Sequence, residues 1–346
     1  MYKKFFRTPS SEQGSFSHII HIFAKKILME LSKKMKTLSI IVPCYNEEEV
    51  IEQSYQRITH VLKSIQGYHS EIIFINDGSK DNTGNLLSKI ASKDKKVKVI
   101  HFSRNFGHQP AVTAGIHFCT SDVAIIIDAD LQDAPELFSD MLHQYEEEDA
   151  NVVYGVREKR EGESFFKKIT ARMFYRSLNY LSETNFPSDT GDFRLIDRAI
   201  MDEFCKFKEK GKYVRGIISW VGFKQVPFKY KREARFAGKT KYPLKKMLKF
   251  ATTAMLYFSK KPLKLSTNLG LLAVLIGLFY GIWIVAGKIF GFTHAISGWS
   301  SLIILIIFFG GVQLLTIGVL GQYIGILFDE IKDRPEYIIE KRENIN

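Results

Sequence analysis

Leu269 to Ala286 contains no charged residue, and in Leu302 to Leu320 the only polar side chains are Gln313 and Thr316. A helix needs about 20 predominantly apolar residues to cross a bilayer, so each stretch is long enough to span. Backbone polar groups have no water to bond inside lipid, which makes helices the expected form. The link between the stretches is short, so they should run antiparallel. Lys260, Lys261 and Lys264 precede the first span, and Lys332 and Arg334 follow the second. Lys288 is the only Lys or Arg between the spans. The positive-inside rule then puts the large amino-terminal part and the carboxyl terminus on the cytoplasmic side. Gly310, Gly311, Gly318, Gly321 and Gly325 would allow helices to approach closely, between the two spans or between subunits.

Everything before the spans has a different grammar. Apolar runs at Leu38–Pro43, Glu71–Ile75, Val97–Phe102 and Val123–Ile127 alternate with helical spacing at Glu47–Ile65, Asn82–Ala91 and His108–Phe118. A helix over Pro135–Glu148 and a strand over Asn151–Gly155 continue the alternation. Such alternation predicts an α/β domain whose mostly parallel sheet is covered on both faces. The pattern then becomes less regular, with a helix expected over Phe165–Leu181 and a loop over Asp189–Asp192. Pro243–Phe258 carries apolar residues at helical spacing beside Lys245, Lys246 and Lys249, which suits a helix lying in the membrane interface.

The ends of the first four predicted strands are all polar. They read Tyr45-Asn46-Glu47, Asn76-Asp77-Gly78-Ser79, Ser103-Arg104-Asn105 and Asp128-Ala129-Asp130-Leu131-Gln132-Asp133. Carboxyl ends of parallel strands are where open α/β sheets bind ligands. One such end alone is explained by helix capping, but four in register point to a shared site. An aromatic ring, several carboxylates and an Arg suit a nucleotide: a base to pack, a ribose to hold, a diphosphate to neutralise. On an extended segment Asp128 and Asp130 would share a face. Two close carboxylates invite a hard divalent cation, and Mg²⁺ typically completes its shell with water and substrate phosphates. There is no G-x-G-x-x-G after the first strand and no P-loop motif, which excludes a dinucleotide dehydrogenase and a P-loop NTPase of the usual kind.

The net charge of +12, from 49 Lys+Arg against 37 Asp+Glu, suits an anionic partner of some kind. Cys44, Cys119 and Cys205 are far apart and form no CxxC, which argues against a zinc site or a disulfide scaffold. Residues 1–34 are basic and lack the apolar core of a signal peptide. Two readings stay open for them: a short interfacial helix over Ile19–Leu31, or a chain whose true start is Met35.

Taken together, these motifs resemble the family 2 glycosyltransferases of the GT-A fold, with its Rossmann-like sheet. The nearer resemblance is to the polyprenyl-phosphate glycosyltransferases, the group that includes dolichyl-phosphate mannose synthase and bacterial undecaprenyl-phosphate glucosyltransferases. Further matching segments are Asp189–Arg194, Arg215-Gly216 with Trp220-Val221-Gly222, Arg235–Pro243, and Leu320–Gly325. The resemblance covers about Leu38 to Ile338.

That resemblance implies a set of roles. Asp128, Asp130 and Gln132 would hold Mg²⁺ or Mn²⁺. Pro43, Tyr45, Glu47, Asp77, Ser103, Asn105 and Arg157 would bind the nucleotide sugar. Asp192 matches the acidic residue assigned as base, with Asp189 close enough to compete for the role. Arg232, Arg235, Lys239, Lys241 and Tyr242 would clamp a lipid phosphate. A phosphate monoester is mostly dianionic at neutral pH and already nucleophilic, so Asp192 has a reason to orient rather than to remove a proton. The implied partners are a nucleotide-sugar donor, a polyprenyl phosphate acceptor, the bilayer and further copies of the chain, a tetramer by resemblance. Nucleic acid is not expected.

The expected organisation is a basic extension at 1–36, a cytoplasmic catalytic domain at 37–242 and an interfacial region at 243–262. Two spans within 263–330 (about 265–289 and 300–325) and a cytoplasmic tail at 331–346 complete it. A processive polysaccharide synthase is the rival enzyme, but its Q-x-x-R-W motif is absent. An inactive lipid-binding scaffold is the non-enzymatic rival.

Overall fold

The computed structural model describes residues 35–157, 190–231, 261–291 and 298–345. The basic extension, the predicted helix at Phe165–Leu181, Asp189, the cationic segment from Arg232 and the predicted interfacial helix lie outside the described residues.

The first half alternates as its apolar runs dictate. It comprises β1 (Lys36–Cys44), α1 (Ile51–Ser64), β2 (Tyr68–Asn76), α2 (Thr83–Lys93), β3 (Val97–Phe102), α3 (His108–Phe118) and β4 (Val123–Ile126). A single 3₁₀ turn at Pro135–Leu137 leads into α4 (Phe138–Glu147), followed by β5 (Val152–Arg157). After it come β6 (Thr190–Asp197), α5 (Arg198–Lys206), α6 (Val214–Val221), β7 (Gln225–Tyr230), α7 (Lys261–Ile289), α8 (Trp299–Ile331) and β8 (Ile339–Glu343).

The described strands form one eight-stranded sheet in the order β7-β5-β6-β4-β1-β2-β3-β8. β1, β2, β3 and β4 are mutually parallel where they pair. β6 runs antiparallel between β4 and β5, and β8 runs antiparallel along β3. β1 is buried along most of its length and divides its side chains between two cores, as a parallel strand covered on both faces must. Leu38, Ile40 and Val42 pack with Ile58, Leu87 and Phe138 from α1, α2 and α4. Ile41 packs on the other face with Val112, Phe204 and Ile217 from α3, α5 and α6. The chain builds outward from β1 through β2 and β3, then returns to β1's other side with β4. The crevice between the carboxyl ends of β1 and β4 is therefore a topological switch point, where such sheets place ligands.

Two expectations need correction. Asp189–Asp192 was expected as a loop, but β6 begins at Thr190, so Asp192 stands on a strand. Asp128 and Asp130 do not lie on an extended segment: β4 ends at Ile126 and the chain turns at Ala129–Asp130, with Leu131 at φ 56°. The tail after the second span, for which the sequence suggests no secondary structure of either kind, carries β8, which extends the sheet.

α7 and α8 are long and apolar enough to cross a membrane, over Leu263–Gly287 and Leu305–Ile331. Their apolar side chains face outward: Phe279, Trp283 and Leu314 are each 71% exposed. An all-round apolar helix without protein cover belongs in lipid or against another subunit. The two helices touch each other, with Gly277 against the Phe309 ring. A Cβ on Gly310, Gly311, Gly318, Gly321 or Gly325 would meet nothing within 4 Å, so these glycines do not serve the contact between the two described helices.

Candidate active site

The turn after β2 and the loop after β3 are built as one unit around Asp77. Its carboxylate is buried and accepts from the backbone N–H of Phe106 (2.7 Å) and Gly107 (2.9 Å), and from Asn105 Nδ2 (2.8 Å). Burial pushes its carboxyl up, against the lowering pull of those two backbone N–H groups. Gly78 has φ 60°, and a Cβ there would stand 2.2 Å from the Arg104 carbonyl carbon. Only glycine permits that stacking of two backbones. The loop after β1 is latched to the same unit. Asn46 N–H donates to Ser79 Oγ (3.0 Å), Lys80 N–H to Asn46 Oδ1 (2.8 Å) and Glu47 N–H to Thr83 Oγ1 (2.8 Å). Tyr45, Glu47, Asp77 and Asn105 thus sit on interlocked loops, and Pro43 near the carboxyl end of β1, which leads into them. Ser103 is turned toward the tail, its N–H donating to Ile338 O at 3.0 Å.

Gly107, at φ 113°, delivers His108 as the first residue of α3. His108 Nε2 lies 3.0 Å from Asp192 Oδ2 on β6 and 3.8 Å from Asp128 Oδ1 after β4. Arg215 Nε, from α6, lies 2.9 Å from Asp192 Oδ1. Asp192 is therefore held on both oxygens by cations. Burial alone would raise its carboxyl, but Arg215 and His108 outweigh burial and hold it well below the usual carboxylate range. Burial alone would depress His108, but the Asp192 and Asp128 carboxylates raise it to about 9. The imidazole is thus a cation at neutral pH. Burial pushes Asp128 up to about 6; His108 opposes this, and Asp192, Asp130 and Asp133 add to it.

A second group adjoins this one. Asp133 is fully buried and accepts from Tyr230 Oη at 2.6 Å. Arg157 lies over Gly191, where a Cβ would stand 2.5 Å from Arg157 Nη2. Burial opposes the Arg157 charge, while Tyr230, Asp133 and Asp128 favour it and leave its pKa raised. Its buried Nε has no hydrogen-bond partner among the described residues. A phosphate oxygen is the natural acceptor for such a donor.

Asp128 and Asp130 offer hard oxygen donors in one turn, and the charge crowding at Asp128 is of the kind a divalent cation relieves. Gln132 is buried in the same turn, its N–H donating to Asp130 Oδ1 at 3.2 Å. No cluster of three His, Cys, Asp or Glu side chains able to hold a metal is preformed among the described residues. The donor set therefore fits a Mg²⁺ or Mn²⁺ ion that draws its remaining ligands from substrate and water.

Arg215 stands inside a motif singled out from the sequence and His108 opens a predicted helix, but neither has a role assigned there. Asp133, Arg194 and Tyr230 were likewise unassigned. Arg194 is buried, donates from Nη2 to Gly191 O at 3.0 Å, and is lowered to about 10 by burial.

Residues 39–205 match the family described as Glycosyl transferase family 2. The chain is 49% identical over 307 residues to the uncharacterized glycosyltransferase YkcC of Bacillus subtilis (strain 168), covering 89% of this chain and 94% of that one. It is 37% identical over 304 residues to a prophage bactoprenol glucosyl transferase homolog of Escherichia coli (strain K12), covering 88% and 98%. It is 37% identical over 309 residues to the bactoprenol glucosyl transferase of Shigella phage SfII, covering 89% and 99%. A solved structure of glucosyl-3-phosphoglycerate synthase from Mycobacterium tuberculosis, with Mn²⁺, UDP and phosphoglyceric acid, aligns with TM-score 0.46 and 20% identity over 66% of this chain and 78% of that one. The protein is an enzyme that transfers a sugar. It belongs to glycosyl transferase family 2.

Proposed function

We propose that this glycosyltransferase moves one hexose, glucose foremost, from a nucleoside diphosphate sugar to a polyprenyl phosphate at the cytoplasmic face of a membrane. The likeness that carries the acceptor is to bactoprenol glucosyl transferases matched over nearly their whole length. UDP-glucose is the leading donor, with UDP-N-acetylglucosamine the alternative.

In the reaction, a lipid phosphate oxygen attacks the anomeric carbon. The bond from that carbon to the donor's phosphate oxygen breaks, and nucleoside diphosphate leaves. A single displacement inverts the anomeric centre and gives a β-linked lipid-phosphate sugar. Asp128 and Asp130 would hold Mg²⁺ or Mn²⁺, which would supply positive charge to offset the departing diphosphate. Arg157 supplies a cationic donor to the same charge. Asp192, locked between His108 and Arg215, is a poor proton acceptor at neutral pH. It acts instead as a fixed carboxylate that orients sugar hydroxyls or acceptor, with rate gained from positioning and preorganised charge. The cationic residues Arg232, Arg235, Lys239 and Lys241, with Tyr242, would hold the lipid phosphate. In sequence they follow Tyr230, which bonds Asp133 of the acidic turn.

The test is transfer of labelled sugar from a panel of nucleotide sugars to undecaprenyl phosphate in membranes, with Mg²⁺, with Mn²⁺ and with chelator. One donor should label the lipid, only with metal, and Asp130→Asn should abolish the labelling. No lipid labelling by a folded, inserted protein with any donor would refute the reading.

A further inference from the structure

The carboxyl-terminal strand reaches the loops of the site through an unbroken line of hydrogen bonds. Glu343 Oε1, on β8, lies 3.1 Å from His101 Nε2 on β3. His101 Nδ1 lies 3.1 Å from Asn76 Nδ2 at the end of β2. Asn76 Oδ1 accepts from the Ser79 N–H at 3.1 Å, and Ser79 Oγ accepts from the Asn46 N–H at 3.0 Å. The proton assignment is forced from one end. A carboxylate only accepts, so His101 Nε2 carries the hydrogen, Nδ1 accepts, and the Asn76 amide is oriented with its oxygen toward Ser79. Asn76 and His101 are both buried. Glu343 is fixed in turn by Ser88 Oγ (2.5 Å) and Lys341 Nζ (2.9 Å). The next residue, Asn344, donates from Nδ2 to the carbonyls of Ala91 (2.8 Å) and Val97 (2.7 Å).

We propose that Glu343, His101 and Asn76 are positioning residues for donor binding, through which the strand that follows the apolar helices sets the Asp77–Ser79 turn and the Tyr45–Glu47 loop. An edge strand needs none of this for pairing; backbone bonds would suffice. Side chains that run from the strand to the tip of a ligand loop fix that loop's position, as supporting hydrogen bonds do for residues that touch a ligand. The proposal rests on the reading of these loops as the donor site.

The experiment uses the full-length protein and compares Glu343→Ala, Glu343→Gln, Asn76→Ala and the double variant Asn76→Ala/Glu343→Ala. Losing one bond of the line should raise the donor KM about two- to thirteenfold, the worth of a net hydrogen bond of about 0.5–1.5 kcal/mol. The acceptor KM should not move. Glu343→Gln, which still offers an accepting oxygen, should restore most of the affinity, and the double variant should be no worse than the poorer single one. A lower melting temperature with unchanged donor KM, or strictly additive effects, would overturn the proposal. Amide exchange at residues 77–80 provides a readout that needs no turnover. Glu343→Ala should quicken it even if no nucleotide sugar proves to be a substrate; unchanged exchange would overturn the coupling while leaving the donor reading untouched.

Discussion

Asp192 shows how one residue's surroundings choose its chemistry. With His108 at 3.0 Å and Arg215 at 2.9 Å, its carboxylate stays ionised far into acid. Its ionisation is complete above the usual carboxylate range and is lost only below it, so it adds no limb to a pH–rate profile between pH 4 and 8. The acceptor phosphate, with a second pKa of about 6, should supply the acid limb at saturating metal, where a bound cation keeps Asp128 ionised. The predicted profile of kcat/KM for acceptor falls once, as pH drops through about 6. A limb that vanishes in Asp192→Asn would restore Asp192 to the role of base. Gly78 gives a prediction of a different kind. Gly78→Ala places a Cβ 2.2 Å from the Arg104 backbone at φ 60°, and should cost roughly 2 kcal/mol or more in thermal unfolding. Likewise Tyr230→Phe removes a donor from buried Asp133 and should cost about 1–3 kcal/mol. The acidic turn was legible in the sequence because its carboxylates lie within six residues. His108 and Arg215 were not, because their partner lies across the sheet; Gly107 before His108 was the only local hint.

Among the elements, β8 ties chemistry to architecture. Burial lowers His101, against the raising pull of Glu343 and Glu340 and with a further lowering from Lys341. A histidine depressed in the folded state stabilises fully above its ordinary value of about 6.5, and that stability is lost as pH falls through the folded value. Protonation would also turn Nδ1 into a donor facing the Asn76 amide. Acidification from pH 7.5 to 5.5 should therefore lower the melting temperature more in wild type than in His101→Gln. An equal loss in both would show that His101 carries no such linkage. The four parallel strands were readable because a strand buried on both faces is a continuous apolar run. β6 was not, since Thr190–Asp197 mixes a glycine, Gly191, and two charged residues that the site requires, Asp192 and Arg194, into its length. β8 was hidden by its own solubility: Ile-Glu-Lys-Arg-Glu is the charged composition an edge strand carries against aggregation.

At the scale of the whole molecule, the apolar helices and the α/β domain are joined by ion pairs just past the carboxyl end of α8. Lys212 and Glu336 meet at 2.6 Å with side chains 5% and 10% exposed, and Lys210 reaches Asp333 at 2.8 Å. Lys212→Ala would leave Glu336 buried without its cation and should destabilise the domain by about 3–5 kcal/mol in unfolding measurements. Lys212→Met paired with Glu336→Leu should cost much less. The two long apolar helices were the plainest reading in the sequence, because so few compositions make so long an apolar run. The central claim, that a hexose alone passes to a lipid phosphate, is tested most directly with a doubly labelled donor. UDP-glucose carrying ¹⁴C in the sugar and ³²P in the β-phosphate would be given to the full-length enzyme with undecaprenyl phosphate and Mg²⁺. The account predicts ¹⁴C in the lipid fraction and ³²P left wholly in water-soluble UDP. Both labels in the lipid would mean transfer of a sugar phosphate, and would contradict it.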